Sequence, residues 1–368
     1  MAQSAGTGQF AARARIEVSQ PAVLLGRLAD HFTEHGEVTR GERAARFAFH
    51  FGTAELAVDG RHLDISALAS DASGIAFVKV ALAEHIFELS EPERPEIHWT
   101  GDCAAGSPVP YLRRMKVERV ELVTSRMRRV RLSGEDLERF SRKGMHIRLL
   151  FPPEPGGEYG WPVMGEDGRP AWPEGLPKPI ARVYTIRRID VEAGWLDVDM
   201  VLHEGDGFPG AGFAMSAKPG DEIGITGPGG GTYGQARRYL IAGDETALPA
   251  IARILEELPE NATVTAVIEI PDAAEEQELA SKADVELTWV HRNGVAAGSS
   301  DLLEQAVKAV DWPTNAPDSF VWVGCEHATF RKLRAYFRKE KQMPRENHMI
   351  VAYWRRGQAG EHAGGKED

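Results

Sequence analysis

Cysteine is almost absent. Cys103 and Cys325 are the only two in 368 residues, far apart and in no CxxC spacing. That excludes a disulfide framework and an iron–sulfur cluster ligated by cysteines of this chain, so any electron traffic needs another cofactor. No stretch approaches the roughly 18 apolar residues that span a bilayer, and Met1 to Phe10 lacks the basic-then-apolar layout of a secretory signal. A cytoplasmic protein without membrane insertion is therefore expected. Positive charge is also in deficit: the formal net charge is −12, which argues against nucleic-acid binding because phosphate neutralisation needs a basic surface. GxSxG and HExxH are missing, so neither a nucleophile elbow nor a helical zinc protease site is expected.

What is present is an ordinary globular composition, 42% hydrophobic and 27% charged, long enough for two or three domains. Residues 1–105 read as a small α+β domain of unknown role, with helical spacing over Pro21 to His35 and Ala72 to Leu89, and short strands around Arg46 to Leu56 and Leu63 to Leu68. Its histidines, His31, His35, His50, His62, His85 and His98, show no metal-ligand spacing, so they are expected on the surface and no metal site is expected. The linker around Glu91-Pro92 and Ala104-Ala105-Gly106-Ser107-Pro108 closes this domain.

Residues 106–236 are strand-rich and predict a small antiparallel β-barrel. Leu196, Val198 and Met200 alternate with Asp197 and Asp199, the period-two mark of a half-buried strand. Further strands are expected at Val117 to Leu132, His146 to Phe151, Ala181 to Ile189 and Glu222 to Ile225. The stretch Pro152 to Pro179 is too long for a plain turn. An excess of arginine from Arg113 to Arg148 can draw an anionic ligand, although most such charges face water. Residues 237–358 alternate strands with helices, including one near Ala273 to Ala280, and imply a parallel α/β sheet; residues 359–368 are expected to be a disordered tail.

Three groups carry chemistry, each also readable as structure. On Arg182-Val183-Tyr184-Thr185-Ile186-Arg187, a guanidinium can grip pyrophosphate, a ring can stack on a flat cofactor and a hydroxyl can bond a ring nitrogen. His203 to Phe213 is a glycine-rich turn into a short helix, whose free amides suit a dinucleotide pyrophosphate; Gly227 to Gly231 is a second glycine run of the same kind. Gly243-Asp244-Glu245-Thr246 is a strand–turn–helix at the point where a nicotinamide dinucleotide would enter, with Thr246 as the helix cap.

Those strings, together with Val201-Leu202-His203, Pro219-Gly220-Asp221, Ala242 to Ala250 and Tyr353-Trp354-Arg355-Arg356-Gly357, resemble the siderophore-interacting protein family in order and separation, from Lys116 to Gly357. The N-terminal segment separately resembles a small bacterial domain of unassigned function. The resemblance implies a ferredoxin-reductase-like architecture with FAD on the barrel and NAD(P)H on the α/β domain, reducing a ferric siderophore as substrate. It implies FAD contacts from Arg182, Tyr184, Thr185, Arg187, His203, Gly207, Gly210 and Ala211, and nucleotide contacts from Gly243, Asp244, Glu245 and Thr246. In many relatives a glycine follows that histidine and tryptophan ends the turn; Glu204 and Phe213 stand there here. By position, Arg148 and Arg355 would hold an anionic ferric chelate. No protein acid, base or nucleophile is required, so no catalytic residue is expected. Two other readings remain open: a flavin reductase or diaphorase using another acceptor, and a non-catalytic siderophore- or flavin-binding module.

Overall fold

A computed structural model describes residues 9–142, 144–153, 159–202, 209–314 and 317–358. The chain forms two compact units, one of Met1–Leu112 with Glu158–Lys178, the other of Arg113–Gly157 with Pro179–Asp368. Among the described residues no helix is long and apolar enough to cross a membrane.

The first unit is the expected α+β layer. Strands β1 (Phe10–Glu17), β2 (Glu37–Arg40), β3 (Ala44–Phe49), β4 (Gly52–Asp59), β5 (His62–Ala69) and β6 (Thr100–Gly101) form one sheet in the order β2-β3-β4-β5-β1-β6. Its strand pairings among the described residues are antiparallel. Helices α1 (Pro21–Phe32) and α2 (Ala72–Leu89) cover one face. Leu28, Phe32, Leu82 and Ile86 pack there on Phe47, Leu56 and Ile65, as the 3.6-residue and two-residue periods of helix and strand require. Asp71 caps α2 by accepting from the Gly74 N–H at 2.7 Å. Part of the long loop after Pro152 belongs to this unit, where the short strands β10 (Val163–Met164) and β11 (Pro170–Ala171) pair and Trp99 donates to the Asp167 carbonyl.

In the second unit, β7 (Leu112–Thr124), β8 (Met127–Ser133), β9 (His146–Phe151), β12 (Ile180–Thr185), β13 (Arg188–Asp190), β14 (Trp195–Val201) and β15 (Glu222–Gly229) make the antiparallel barrel, ordered β12-β9-β15-β7-β8-β14-β13. The single strand expected over Ala181 to Ile189 is broken at Ile186-Arg187. There the chain leaves β9 and turns onto β14, with the Arg187 N–H donating to the Asp197 carbonyl; this bend brings the two ends of the sheet together. A second expectation fails on β14, which is buried on both faces: Asp197 and Asp199 are only 1% and 5% exposed. The neighbouring strand β8 supplies the reason. Arg131 and Arg129 hold these two carboxylates in paired hydrogen bonds of 2.7–2.9 Å, so part of the arginine excess is an internal cross-strand ladder rather than a solvated face.

The remaining strands, β16 (Arg238–Asp244), β17 (Thr263–Ile270), β18 (Asp284–His291), β19 (Ser319–Glu326) and β20 (His348–Trp354), form a parallel sheet ordered β18-β17-β16-β19-β20. Alternation along β16 sends Tyr239 and Ile241 into one core with α4 (Leu248–Glu257) and Leu240 and Ala242 into another with α5 (Leu302–Ala309) and α6 (His327–Ala335). The helix expected over Ala273 to Ala280 is only a 3-10 turn, Ala273–Glu275. Glu275 is withdrawn toward the β7–β8 hairpin, where its carboxylate accepts from Thr124, from the Ser125 hydroxyl at 2.5 Å and from the Arg126 N–H at 3.1 Å.

Candidate functional site

The parallel sheet reverses its order between β16 and β19, and the carboxyl ends of such neighbouring strands are where open α/β sheets bind ligands. Asp244 ends β16 there, fully buried. Its Oδ1 accepts from the Thr246 N–H at 3.0 Å and hydroxyl at 2.5 Å, and its Oδ2 from the Glu326 N–H at 3.1 Å and the Trp354 indole at 2.8 Å. Burial, reinforced by the Glu245 carboxylate, pushes Asp244 up to about 7; the four donors hold its ionised form against that rise. Glu326 in turn accepts from the Arg356 N–H, so the Trp354–Arg356 segment is fastened to the switch point by two strand-end carboxylates.

This changes the reading of Gly243 to Thr246. A Cβ on Gly243 would lie 2.5 Å from the Gly324 carbonyl oxygen and 2.7 Å from the Ala247 Cβ, so glycine is demanded by packing. Glu245 is buried and bound by Arg292 through bonds of 2.6 and 2.7 Å. Thr246 is not the cap of α4: Ala247 takes that place without a side-chain bond, because the Thr246 hydroxyl is used by Asp244. The side chains of Asp244, Glu245 and Thr246 are thus engaged within the protein.

The barrel contributes β12. Tyr184 packs edge-on to Phe151, with ring centroids 5.9 Å apart, and its hydroxyl occupies the space a side chain on Gly210 would fill. Gly210 and Ala211 open the short helix α3 (Pro209–Ser216), whose first N–H groups lack intrahelical partners. Burial raises the Tyr184 phenol to about 12, so it stays protonated. Thr185 is buried and hydrogen-bonded to the Tyr353 hydroxyl, and that hydroxyl lies 2.7 Å from His146 Nε2. Burial, assisted by the charge of Arg253, lowers His146 to about 4, and burial lifts Tyr353 well above the usual phenol range. Neither ionises near neutrality, which makes the Thr185–Tyr353–His146 contact a fixed bond between the barrel and the last strand of the sheet. Gly230 passes over His146, where a Cβ would come within 2.6 Å of Nδ1; this accounts structurally for part of the second glycine run.

The Arg187 side chain is engaged within the protein. It is buried, its guanidinium binds both carboxylate oxygens of Glu256 on α4 at 2.7 and 2.8 Å, and Asp199 stands 3.9 Å away. It clamps the barrel to the α/β half, as Arg253 does by donating to the Ile186 carbonyl. Arg182 is half-buried and bonds only the neighbouring Ala181 carbonyl among the described residues. Arg148 and Arg355 are exposed, and neither side chain has an acidic partner among the described residues. Each stands two residues beyond a member of the His146–Tyr353 pair. His203 and Gly207 lie outside the described residues, as does the 359–368 tail. Sequence reasoning gave no role to His146, Arg253 or Glu256; the partner of His146 is 207 positions away, and no local pattern signals it.

The residues fit an FAD. Tyr184 offers a ring, Arg182 a guanidinium with no acidic partner among the described residues, and Gly210 lets the start of α3 approach the Tyr184 hydroxyl, chemistry that suits a flavin dinucleotide. An antiparallel barrel carrying these residues, followed by a five-stranded parallel sheet, is the architecture of a flavoprotein reductase. The chain belongs to the siderophore-interacting protein family. The model "Siderophore-interacting protein" matches residues 236–357, "Siderophore-interacting FAD-binding domain" matches 116–232, and "Uncharacterized protein conserved in bacteria (DUF2218)" matches 13–100.

Ferric vibriobactin reductase ViuB of Vibrio cholerae is 32% identical over 251 residues, covering 67% of this chain and 90% of the relative. NADPH-dependent ferric-chelate reductase of Escherichia coli K12 is also 32% identical, covering 66% and 92%. The crystal structure of a siderophore utilization protein from T. fusca is 40% identical with a TM-score of 0.61, covering 67% of this chain and 94% of that one.

Proposed function

We propose that this protein is an FAD-containing, NAD(P)H-dependent reductase of ferric siderophores that releases Fe(II) in the cytoplasm. The carrying observation is the placement of two exposed arginines without acidic partners, Arg148 and Arg355, beside the His146–Tyr353 bond that abuts the flavin strand, in a chain of net charge −12. On an acidic protein, a local pair of free cations selects an anionic ligand by steering and by charge-assisted bonding. The names of the two curated relatives, a ferric vibriobactin reductase and a ferric-chelate reductase, support the same reading.

When bound, FAD supplies the conversion between a nicotinamide's two-electron donation and the one-electron acceptance of Fe(III). The chain's own residues hold and exclude. Tyr184 and the α3 amides seat the cofactor, Arg182 meets its phosphates, and Arg148 with Arg355 hold the chelate. Hard oxygen donors suit Fe(III) better than Fe(II), so reduction loosens the metal without any bond of the siderophore being broken. Of the cations available to a 2′-phosphate, Arg292 is buried against Glu245 and Glu269, and Lys332 is paired with Asp301 and Glu304. Arg331, exposed on α6, is left for that role.

Reversing both charges, Arg148→Glu with Arg355→Glu, is expected to raise KM for an anionic ferric catecholate at least about tenfold, equivalent to about 1.4 kcal/mol. It should also flatten the dependence of kcat/KM on ionic strength. Steady-state NAD(P)H oxidation measured across a salt series checks this. Kinetics equal to the parent's at every ionic strength would show that the chelate sits elsewhere.

A further inference from the structure

The first unit holds a cluster outside the reductase site. His31 stands in the last turn of α1, and His35 in the turn that follows the helix. From α2, 50 positions along the chain, comes His85. The ring centroids of His31 and His85 are 4.3 Å apart, those of His31 and His35 4.9 Å, and one ligand nitrogen from each of the three residues lies within 4.8 Å of the others. His31 Nε2 is buried with no hydrogen-bond partner, a costly state for a ring nitrogen. His85 Nδ1 lies 2.7 Å from the Ala81 carbonyl oxygen. A carbonyl only accepts, so Nδ1 carries the proton and Nε2 presents its lone pair. That is the outer bond by which metal-bound imidazoles are oriented.

We propose that His31, His35 and His85 form a three-imidazole site for a divalent first-row transition-metal ion. Neutral imidazole suits zinc, iron, copper or nickel rather than magnesium or calcium. Donors on a tetrahedral ion at about 2.0–2.1 Å stand roughly 3.4 Å apart, so nitrogens now within 4.8 Å of one another close by up to about 1.4 Å on binding. His35 is exposed and His31 and His85 are half-buried, which gives the ion an entry path and leaves a fourth position to water or a ligand. The site supplies the buried His31 nitrogen with the partner it lacks.

The test uses the tag-free full chain after chelator treatment, titrated with Co2+ as a spectroscopic probe and with Zn2+ as competitor, alongside His35→Asn and His85→Gln. The expected result is one Co2+ per chain with the ligand-field bands of a nitrogen-ligated ion, displaced by Zn2+, and affinity lowered at least about tenfold in each variant. Flavin content and NAD(P)H oxidation should match the parent in both. Asn at the exposed position 35 keeps the test valid if the His85 variant folds poorly. Absence of stoichiometric binding in the parent, or equal binding in His35→Asn, would overturn the site.

Discussion

Replacing Arg292 with methionine is expected to lower the unfolding free energy of the second unit by about 3–5 kcal/mol, the cost of leaving buried charge without its partner. Arg292, Glu245 and Glu269 are 5%, 8% and 5% exposed. The guanidinium binds Glu245 at 2.6 and 2.7 Å and Glu269 at 3.2 Å, and Glu269 also accepts from the Leu303 N–H at the start of α5. Removing the cation strands two carboxylates at the carboxyl end of the sheet. Burial already pushes Glu269 up with Arg292 present, and without the guanidinium it rises further. Glu269 then takes up a proton more readily in the folded than in the unfolded chain, so the penalty is largest at high pH and shrinks as pH falls. Urea unfolding followed by tryptophan fluorescence should show a larger deficit near about pH 8 than near about pH 5. The double variant Glu245→Gln with Arg292→Met should recover part of the loss. A deficit below about 1 kcal/mol at both pH values would mean that water reaches these groups.

The second large effect concerns the proposed cofactor contacts of Tyr184 and Gly210. Gly210→Ala is expected to reduce FAD occupancy about tenfold or more, although alanine favours a helix over glycine by about 1 kcal/mol. The added methyl group would claim the position of the Tyr184 hydroxyl, so it must drive the ring off β12's packing with Phe151 or tilt α3. Tyr184→Ala should also weaken FAD retention while leaving the fold, because it removes a stacking face on a partly buried side chain. Combining Gly210→Ala with Tyr184→Phe should restore part of the occupancy, since the oxygen is the atom nearest the new methyl. The check is the ratio of flavin to protein absorbance after purification and the Kd on adding FAD back. Occupancy equal to the parent's in Gly210→Ala would remove Tyr184 and Gly210 from the cofactor site.

Much of the architecture was legible because period and punctuation are local. Helix α2 runs over the residues its spacing predicts, Ala72 to Leu89, and strand β9 over His146 to Phe151. What escaped depends on long-range partners. The aspartates of β14 read as a wet face because nothing in Leu196 to Met200 reveals that Arg129 and Arg131 lie across the ladder. Glu275 unwinds an expected helix because its carboxylate is needed at the β7–β8 hairpin. At the site, the strings Arg182 to Arg187 and Gly243 to Thr246 were found, yet Arg187 and Glu245 turn inward to Glu256 and Arg292. The histidine cluster was invisible for the same reason: His35 follows α1 in a turn, and the third member arrives only through the packing of α1 on α2.

An anaerobic absorbance titration of the purified protein tests the central claim most directly. NADH or NADPH is added first, then a ferric siderophore with a ferrous-ion trap. The account predicts an oxidised flavin spectrum that bleaches with the nicotinamide and recovers as trapped Fe(II) appears, two Fe(II) for each nicotinamide consumed, since each nicotinamide gives two electrons and each Fe(III) accepts one. Bleaching without recovery on adding the ferric chelate would contradict it in favour of another acceptor, and bound flavin that never bleaches would reduce the protein to a binding module.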